Sequence, residues 1–413
     1  MTATARTVLR QEIEPGEAGL DAARLDELDR LLARHVDTGS LPGYLLSVAR
    51  DGRVARLTTY GSRDLAAGEP VEPDTLWRIY SMTKPVTSVA AMLLVEEGLL
   101  SLDDPLERHL PAFAAPRVHV AGEGSGMRTR PARGPVLIRH LLSHTAGLTF
   151  AFHHAHPVDA LYREAGLHAS VLPGADLART CDAYARLPLQ FDPGSGWNYS
   201  VATNVLGRVI EVVSGRPLDE FVGERVLGPL RMTDSGFRIG EEQAGRLAEL
   251  YGDGDDGSLE VVPGTPVRER PHFLSGSGGL VASAGDYHRF MEMLRRRGEL
   301  DGVRLLRPAT VDLMTRNHLP EDADIRSFGA PVHDEPANSG VGFGLGFSVV
   351  VDPSRTQSPS SRGTYGWKGV ATTVFWVDPV QDLTVQFMTQ LRPRRSRLLF
   401  PEIRRLVHES VVG

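Results

Sequence analysis

The chain has 413 residues, 41% of them hydrophobic and 23% charged, with a formal net charge of -7 and one cysteine, Cys181. That length allows a large core and two structural lobes, and a mildly acidic chain without a long basic stretch is not expected to bind nucleic acid. A single cysteine excludes an intramolecular disulfide and a cysteine-based zinc site, and no apolar run is long enough to span a bilayer.

Residues 1–19 read as a polar lead with Arg6 and Arg10 and no apolar signal segment, so a cytoplasmic location is expected. Leu25, Leu28, Leu31 and Leu32 mark one face of a helix over 22–36. Strands follow over 43–49 and 54–60, joined at Asp51-Gly52, a strong hairpin signal. Residues 119–134 read as a mobile loop, and His140 to Leu148 as a helix end entering a turn. Helical patterns dominate 150–250, with amphipathic stretches at 203–214 and 218–226. Residues 252–266 are turn-rich, 284–297 helical, and 320–338 a second long polar loop. Strands are expected over 342–351, 364–368, 372–378 and 383–389. The basic cluster Arg392, Arg394, Arg395 and Arg397 then leads into a helix over 396–412. Sheet-forming ends around a helical middle imply a discontinuous α/β lobe, 20–80 and 265–413, with a mainly helical lobe, 81–264, inserted after the lead over 1–19. A site is expected in the cleft between lobes.

Ser81-Met82-Thr83-Lys84, followed by Pro85, stands out. A spacing of three puts Ser81 and Lys84 on one helix face, and Pro85 is tolerated only in a helix's first turn. Val86, Val89, Ala90, Met92, Leu93, Leu94 and Val95 make the following helix apolar on nearly every side, as in a buried central helix, with Gly98 as its cap. Ser81 then sits where helix N–H groups favour developing negative charge, next to an amine able to activate it.

Three stretches in this order, Ser81-Met82-Thr83-Lys84, Tyr199-Ser200-Val201 and Trp367-Lys368-Gly369, resemble the motifs of the serine β-lactamase and penicillin-binding-protein superfamily. The resemblance is closest to its class C-like branch and, within that, to the family VIII carboxylesterases. His140 to Leu148, Leu206 to Arg231 and Gly278-Gly279-Leu280 support it, and it spans about residues 20 to 390. It implies an α/β plus all-α fold, with an antiparallel sheet flanked by helices, an inserted helical lobe and the active site in the cleft. It further implies that Ser81 forms an acyl-enzyme and that Tyr199 shuttles protons beside it. Lys84 and Tyr199 both remain candidates for the base. The backbone N–H groups of Ser81 and Val370 would form the oxyanion hole.

Two departures narrow the activity. Relatives active on β-lactams usually carry Asn where Val201 stands and Lys where Trp367 stands. Lys368 does not replace the latter, because adjacent strand residues point to opposite faces. With an amide reader and a carboxylate reader both lost, and Trp367 offering apolar surface, the expected reaction is hydrolysis of carboxylic esters with small to medium acyl groups. The alternatives are acyl transfer to an alcohol or amine, and β-lactam or D-amino-acid peptide hydrolysis. Trp367, Gly369 and Val201 are the expected substrate-binding residues. His144 reads as a turn residue, His153, His154 and His156 near Asp159 as a polar rim, and Gly278-Gly279-Leu280 as tight packing. No cofactor or metal is expected. The expected partner is a small-molecule ester, without nucleic acid or membrane, and assembly into a homo-oligomer is left open.

Overall fold

The computed structural model describes residues 6–254, 257–392 and 399–412. Asp21 opens α1 (Ala22–Asp37) by accepting a hydrogen bond from the Ala23 N–H at 2.8 Å, as an N-cap aspartate does. Next come β1 (Gly43–Arg50) and β2 (Arg53–Asp64), joined by Asp51 and Gly52, both at positive φ as the tight hairpin turn requires. β3 (Glu69–Pro70) follows β2, and five strands come from far along the chain: β4 (Val341–Phe343), β5 (Ser348–Val350), β6 (Tyr365–Gly369), β7 (Thr373–Asp378) and β8 (Leu383–Met388). They form one sheet in the order β4-β5-β6-β7-β8-β1-β2-β3. Each neighbouring pair is antiparallel.

Four more helices pack around this sheet: α2 (Thr83–Glu96), α3 (Ala202–Ser214), α4 (Ala284–Arg295) and α5 (Leu399–Glu409). Alternation along β1 divides the core in two. Tyr44, Leu46 and Val48 join Val385 and Phe387 under the buried faces of α1 and α5. Leu45 and Ala49 face the larger core with Phe375, with Phe290 and Met291 of α4, and with α2. Every residue of α2 from Thr83 to Leu94 is buried, as its apolar sequence predicts. Among the described residues no helix is long and apolar enough to cross a membrane.

Local readings change in four places. Residues 119–134 hold a β-hairpin, Arg117–Ala121 with Arg128–Pro131, instead of a loop. Within 252–266, strand Leu259–Val261 pairs with Tyr251–Asp253. The strand expected over 342–351 is two strands, β4 and β5, because Gly346 turns the chain at φ +100°. Residues 320–338 form short helical turns, including Ile325–Phe328, which Asp324 caps. The C-terminal helix is described from Leu399 onward; residues 396–398, with Arg394 and Arg395 of the basic cluster, lie outside the described residues.

The Gly346 turn tests this architecture. Its N–H donates to the Leu142 carbonyl at 3.0 Å, and a β-carbon there would stand 2.3 Å from Ser88 Oγ on α2. Strain from positive φ and overlap with a buried helix act together, so Gly346→Ala is expected to lower stability by more than about 1 kcal/mol, read from the urea midpoint at unchanged slope.

Candidate active site

Ser81 stands where a short strand meets the central helix. Leu76–Arg78 pairs with Val281–Ser283, and the chain then tightens into a 3-10 turn, Tyr80–Met82, directly before α2. Tyr80 is held at φ +42°, a left-handed conformation that costs a non-glycine residue about 1–3 kcal/mol. Neighbours impose it: Tyr287 donates its hydroxyl to the Met82 carbonyl at 2.9 Å, and Thr83 Oγ1 accepts the Leu280 N–H at 3.1 Å. Pro85 is the third residue of α2, inside its first turn.

Two groups converge on Ser81 Oγ. Lys84 Nζ lies 3.1 Å away and Tyr199 OH 2.7 Å away. Lys84 is 2% exposed, hydrogen-bonds the Ser277 carbonyl at 2.8 Å and stands 4.6 Å from the centre of the Tyr199 ring. Burial alone drives its pKa well below the usual lysine value. The same burial pushes the Tyr199 phenol up to about 12, with its hydrogen bond to Ser81 acting the other way. Burial therefore favours the uncharged form of both groups that meet on this oxygen.

The end of β6 closes over this turn. A β-carbon on Gly369 would stand 2.5 Å from the Ile79 carbonyl oxygen and 2.3 Å from Thr373 Oγ1, so only glycine lets the strand approach. Val370, the next residue, is 49% exposed beside the turn. Trp367 packs 5.4 Å from the Tyr199 ring and 5.2 Å from Phe343, while Lys368 is exposed, as strand alternation predicts. Val201 differs from the expectation. It is fully buried in the larger core, immediately before α3, and presents no surface to a substrate. Its apolar side chain seats the helix.

Other residues at the site gave no signal of their role in the sequence. His144 sits at φ +57° with its ring 5.0 Å from that of Tyr199 and its Nδ1 3.3 Å from Ser200 Oγ. Burial holds it well below the ordinary histidine pKa. His153 and His333 hydrogen-bond the segment that carries Tyr199. The histidines at 153, 154 and 156 were visible as a cluster, but nothing in their order marks His153 as the inward one. Among the described residues no group of three or more His, Cys, Asp or Glu side chains could hold a metal ion.

The beta-lactamase family model matches residues 28–408. The chain belongs to this family. Its fold is the serine β-lactamase-like one, a mixed α/β arrangement around an antiparallel sheet. Among its relatives, esterase EstB of Burkholderia gladioli is 34% identical over 91% of this chain and 93% of its own. Lovastatin esterase of Penicillium rubens is 31% identical over 86% of this chain and 90% of its own. The structure of EstCE1, described as a hydrolase with promiscuous acyltransferase activity, superposes with a TM-score of 0.78 at 28% identity, covering 94% of this chain and 98% of EstCE1. Unliganded simvastatin synthase from Aspergillus terreus superposes with a TM-score of 0.76 at 25% identity, covering 94% and 98%.

The chain holds two lysines, Lys84 and Lys368, among 45 basic residues. Biosynthetic labelling with ε-13C lysine therefore gives two side-chain signals, and Lys84→Met assigns them. The Lys84 signal is expected to titrate well below the ordinary lysine range near 10.4. Titration at the ordinary value would mean the amine is charged at neutral pH.

Proposed function

We propose that this family member is a serine carboxylesterase that cleaves esters through an acyl-enzyme on Ser81. The observation that carries the reading is the pair of contacts on Ser81 Oγ, 3.1 Å from the Lys84 amine and 2.7 Å from the Tyr199 phenol. Burial favours the neutral form of both groups, which makes Lys84 the base and Tyr199 the acid.

The steps balance in protons. Lys84 Nζ takes the Ser81 hydroxyl proton as Oγ bonds to the ester carbonyl carbon, and the carbonyl oxygen becomes an oxyanion held by the N–H groups of Ser81 and Val370. On collapse the C–O bond to the alcohol breaks, and Tyr199 gives its phenolic proton to the departing alkoxide. The phenolate that remains stands beside the Lys84 ammonium, which offsets its charge. Water then attacks the acyl carbonyl and gives its proton to Tyr199. Ser81 leaves with the proton held by Lys84, and a carboxylic acid is released. Esters suit this site because Trp367 and Gly369 border it without a cation for a substrate carboxylate. EstB and lovastatin esterase support the same reading.

A second reading is transfer of the acyl group to an alcohol or amine, with that acceptor in place of water. It is supported by the similarity to EstCE1 and to simvastatin synthase. The first half-reaction is shared, so product analysis with and without an acceptor alcohol separates the two. Faster release with a new ester product marks transfer.

With short-chain nitrophenyl esters, Ser81→Ala is expected to abolish turnover and the acyl adduct seen by mass spectrometry. Tyr199→Phe is expected to lower kcat by about 10²–10⁴-fold, the usual worth of a positioned acid. Near-normal rates in Tyr199→Phe would remove Tyr199 from the mechanism. Because Lys84 acts unprotonated, kcat/KM is expected to rise with pH as Lys84 loses its proton and to level off above its depressed pKa. A rate that falls over that range would exclude Lys84 as the base.

A further inference from the structure

Tyr199 lies outside regular structure, three residues before α3 begins at Ala202. No helical ladder holds its peptide groups, yet its phenol must stay within a few tenths of an ångström of one position on Ser81. Two imidazoles grip this segment from opposite directions in the sequence. His153 Nε2 lies 2.7 Å from the Tyr199 carbonyl oxygen. His333 Nε2 lies 2.9 Å from Asn198 Oδ1 and 3.3 Å from the Tyr199 nitrogen. Asn198 Nδ2 is committed to the Leu148 carbonyl at 2.9 Å, which turns its Oδ1 toward His333. His153 therefore donates through Nε2–H to the Tyr199 carbonyl, whereas His333 Nε2 either donates to Asn198 Oδ1 or accepts the Tyr199 N–H, according to its tautomer. Their rings meet edge to face at 5.4 Å.

Each histidine comes from an irregular segment folded around a buried carboxylate. Asp159 accepts from Thr149 Oγ1 at 2.7 Å, Gln190 Nε2 at 2.8 Å, and the N–H groups of Ala155 and His156 at 3.0 and 2.9 Å. Asp324 accepts from the Ser327 N–H and hydroxyl at 2.9 and 2.6 Å and from the Gly340 N–H at 2.8 Å, with Arg355 at 3.0 Å. Both aspartates are almost fully enclosed. Neither segment needs a substrate to take this shape.

We propose that His153 and His333 are positioning residues that clamp the backbone around Tyr199 and so hold its phenol on Ser81 Oγ. The proposal rests on Tyr199 being the proton carrier. The clamp works with neutral imidazoles: burial lowers His153 and holds His333 down at about 3. Neither ring touches the reacting atoms, so both act through Tyr199.

The test uses the full chain and a nitrophenyl ester. His153→Leu and His333→Leu remove the ring nitrogen that meets this segment, and His153→Gln keeps a donor at a similar reach. The leucine variants are expected to lose about 10²-fold in kcat, the cost of a small misplacement, with KM and melting temperature near wild type. His153→Gln is expected to recover most of that loss. In a Tyr199→Phe background the same leucine changes are expected to cost little more, because the group they position is gone. Unchanged kcat in His153→Leu, or an equal loss with and without the Tyr199 hydroxyl, would overturn the clamp. If His333→Leu does not fold, the His153 variants decide alone. A fully active Tyr199→Phe would instead refute the underlying mechanism, so the two failures are distinguishable.

Discussion

An amine taken out of water with no carboxylate beside it is stable only if it gives up its charge. Moving an ammonium into a protein interior costs several kcal/mol even after relaxation, and among the described residues no acidic side chain pairs with Lys84 to offset that cost. Its polar partners are Ser81 Oγ and the Ser277 carbonyl, with the rings of Tyr199 and Phe150 over it. The rest of the site depends on this enclosure. It arises because α2 is buried from Thr83 to Leu94 and because β6 and the segments around residues 150 and 330 pack over its start. One enclosure acts in opposite senses on two groups, lowering an amine and raising a phenol. The same burial thus favours an uncharged amine and an uncharged phenol side by side.

The use of cations across the chain agrees with this constraint. Of 45 basic residues only Lys84 and Lys368 are lysine, and the rest are arginine. Arginine serves well in the surface ion pairs that populate the molecule, such as Arg297 with Asp312 and Arg270 with Asp219. It cannot serve at position 84, because a guanidinium is not deprotonated in proteins and has no lone pair to offer a hydroxyl.

What the sequence reveals, and where it stops, follows from the range of each interaction. Ser81 and Lys84 are readable because their relation is local, one turn apart, and because Pro85 locates the helix start. Tyr199 joins them through motif order alone; its 2.7 Å contact spans 118 residues of chain. The strands β1, β2, β6, β7 and β8 are legible from alternation and turn residues. The hairpin at Arg117–Ala121 and Arg128–Pro131 is hidden because Gly122, Gly124 and Gly126 in its turn, with Pro131 and Gly134 after it, read as one loop. Val201 misleads because its motif position points to substrate, whereas its burial belongs to packing of α3. The clamp histidines are illegible because their orientation is set by Asp159 and Asp324, through hydrogen bonds to loop backbone that leave no period in the sequence.

The pairing of β1 with β8 has a consequence for biogenesis. Leu45 lies opposite Met388 and Arg50 opposite Leu383, so the two sides of this ladder are separated by over 300 residues of chain. A nascent polypeptide that has made β1 and β2 cannot close the sheet until β8 has emerged, and the edge of β1 stays open while the more than 300 residues between them are made. Such long-range pairing makes for slow folding and for a transient edge prone to pair with other chains. The turn that carries Ser81 is made long before β6, the strand that closes over it. Hydrolytic competence therefore waits on β6 and β8.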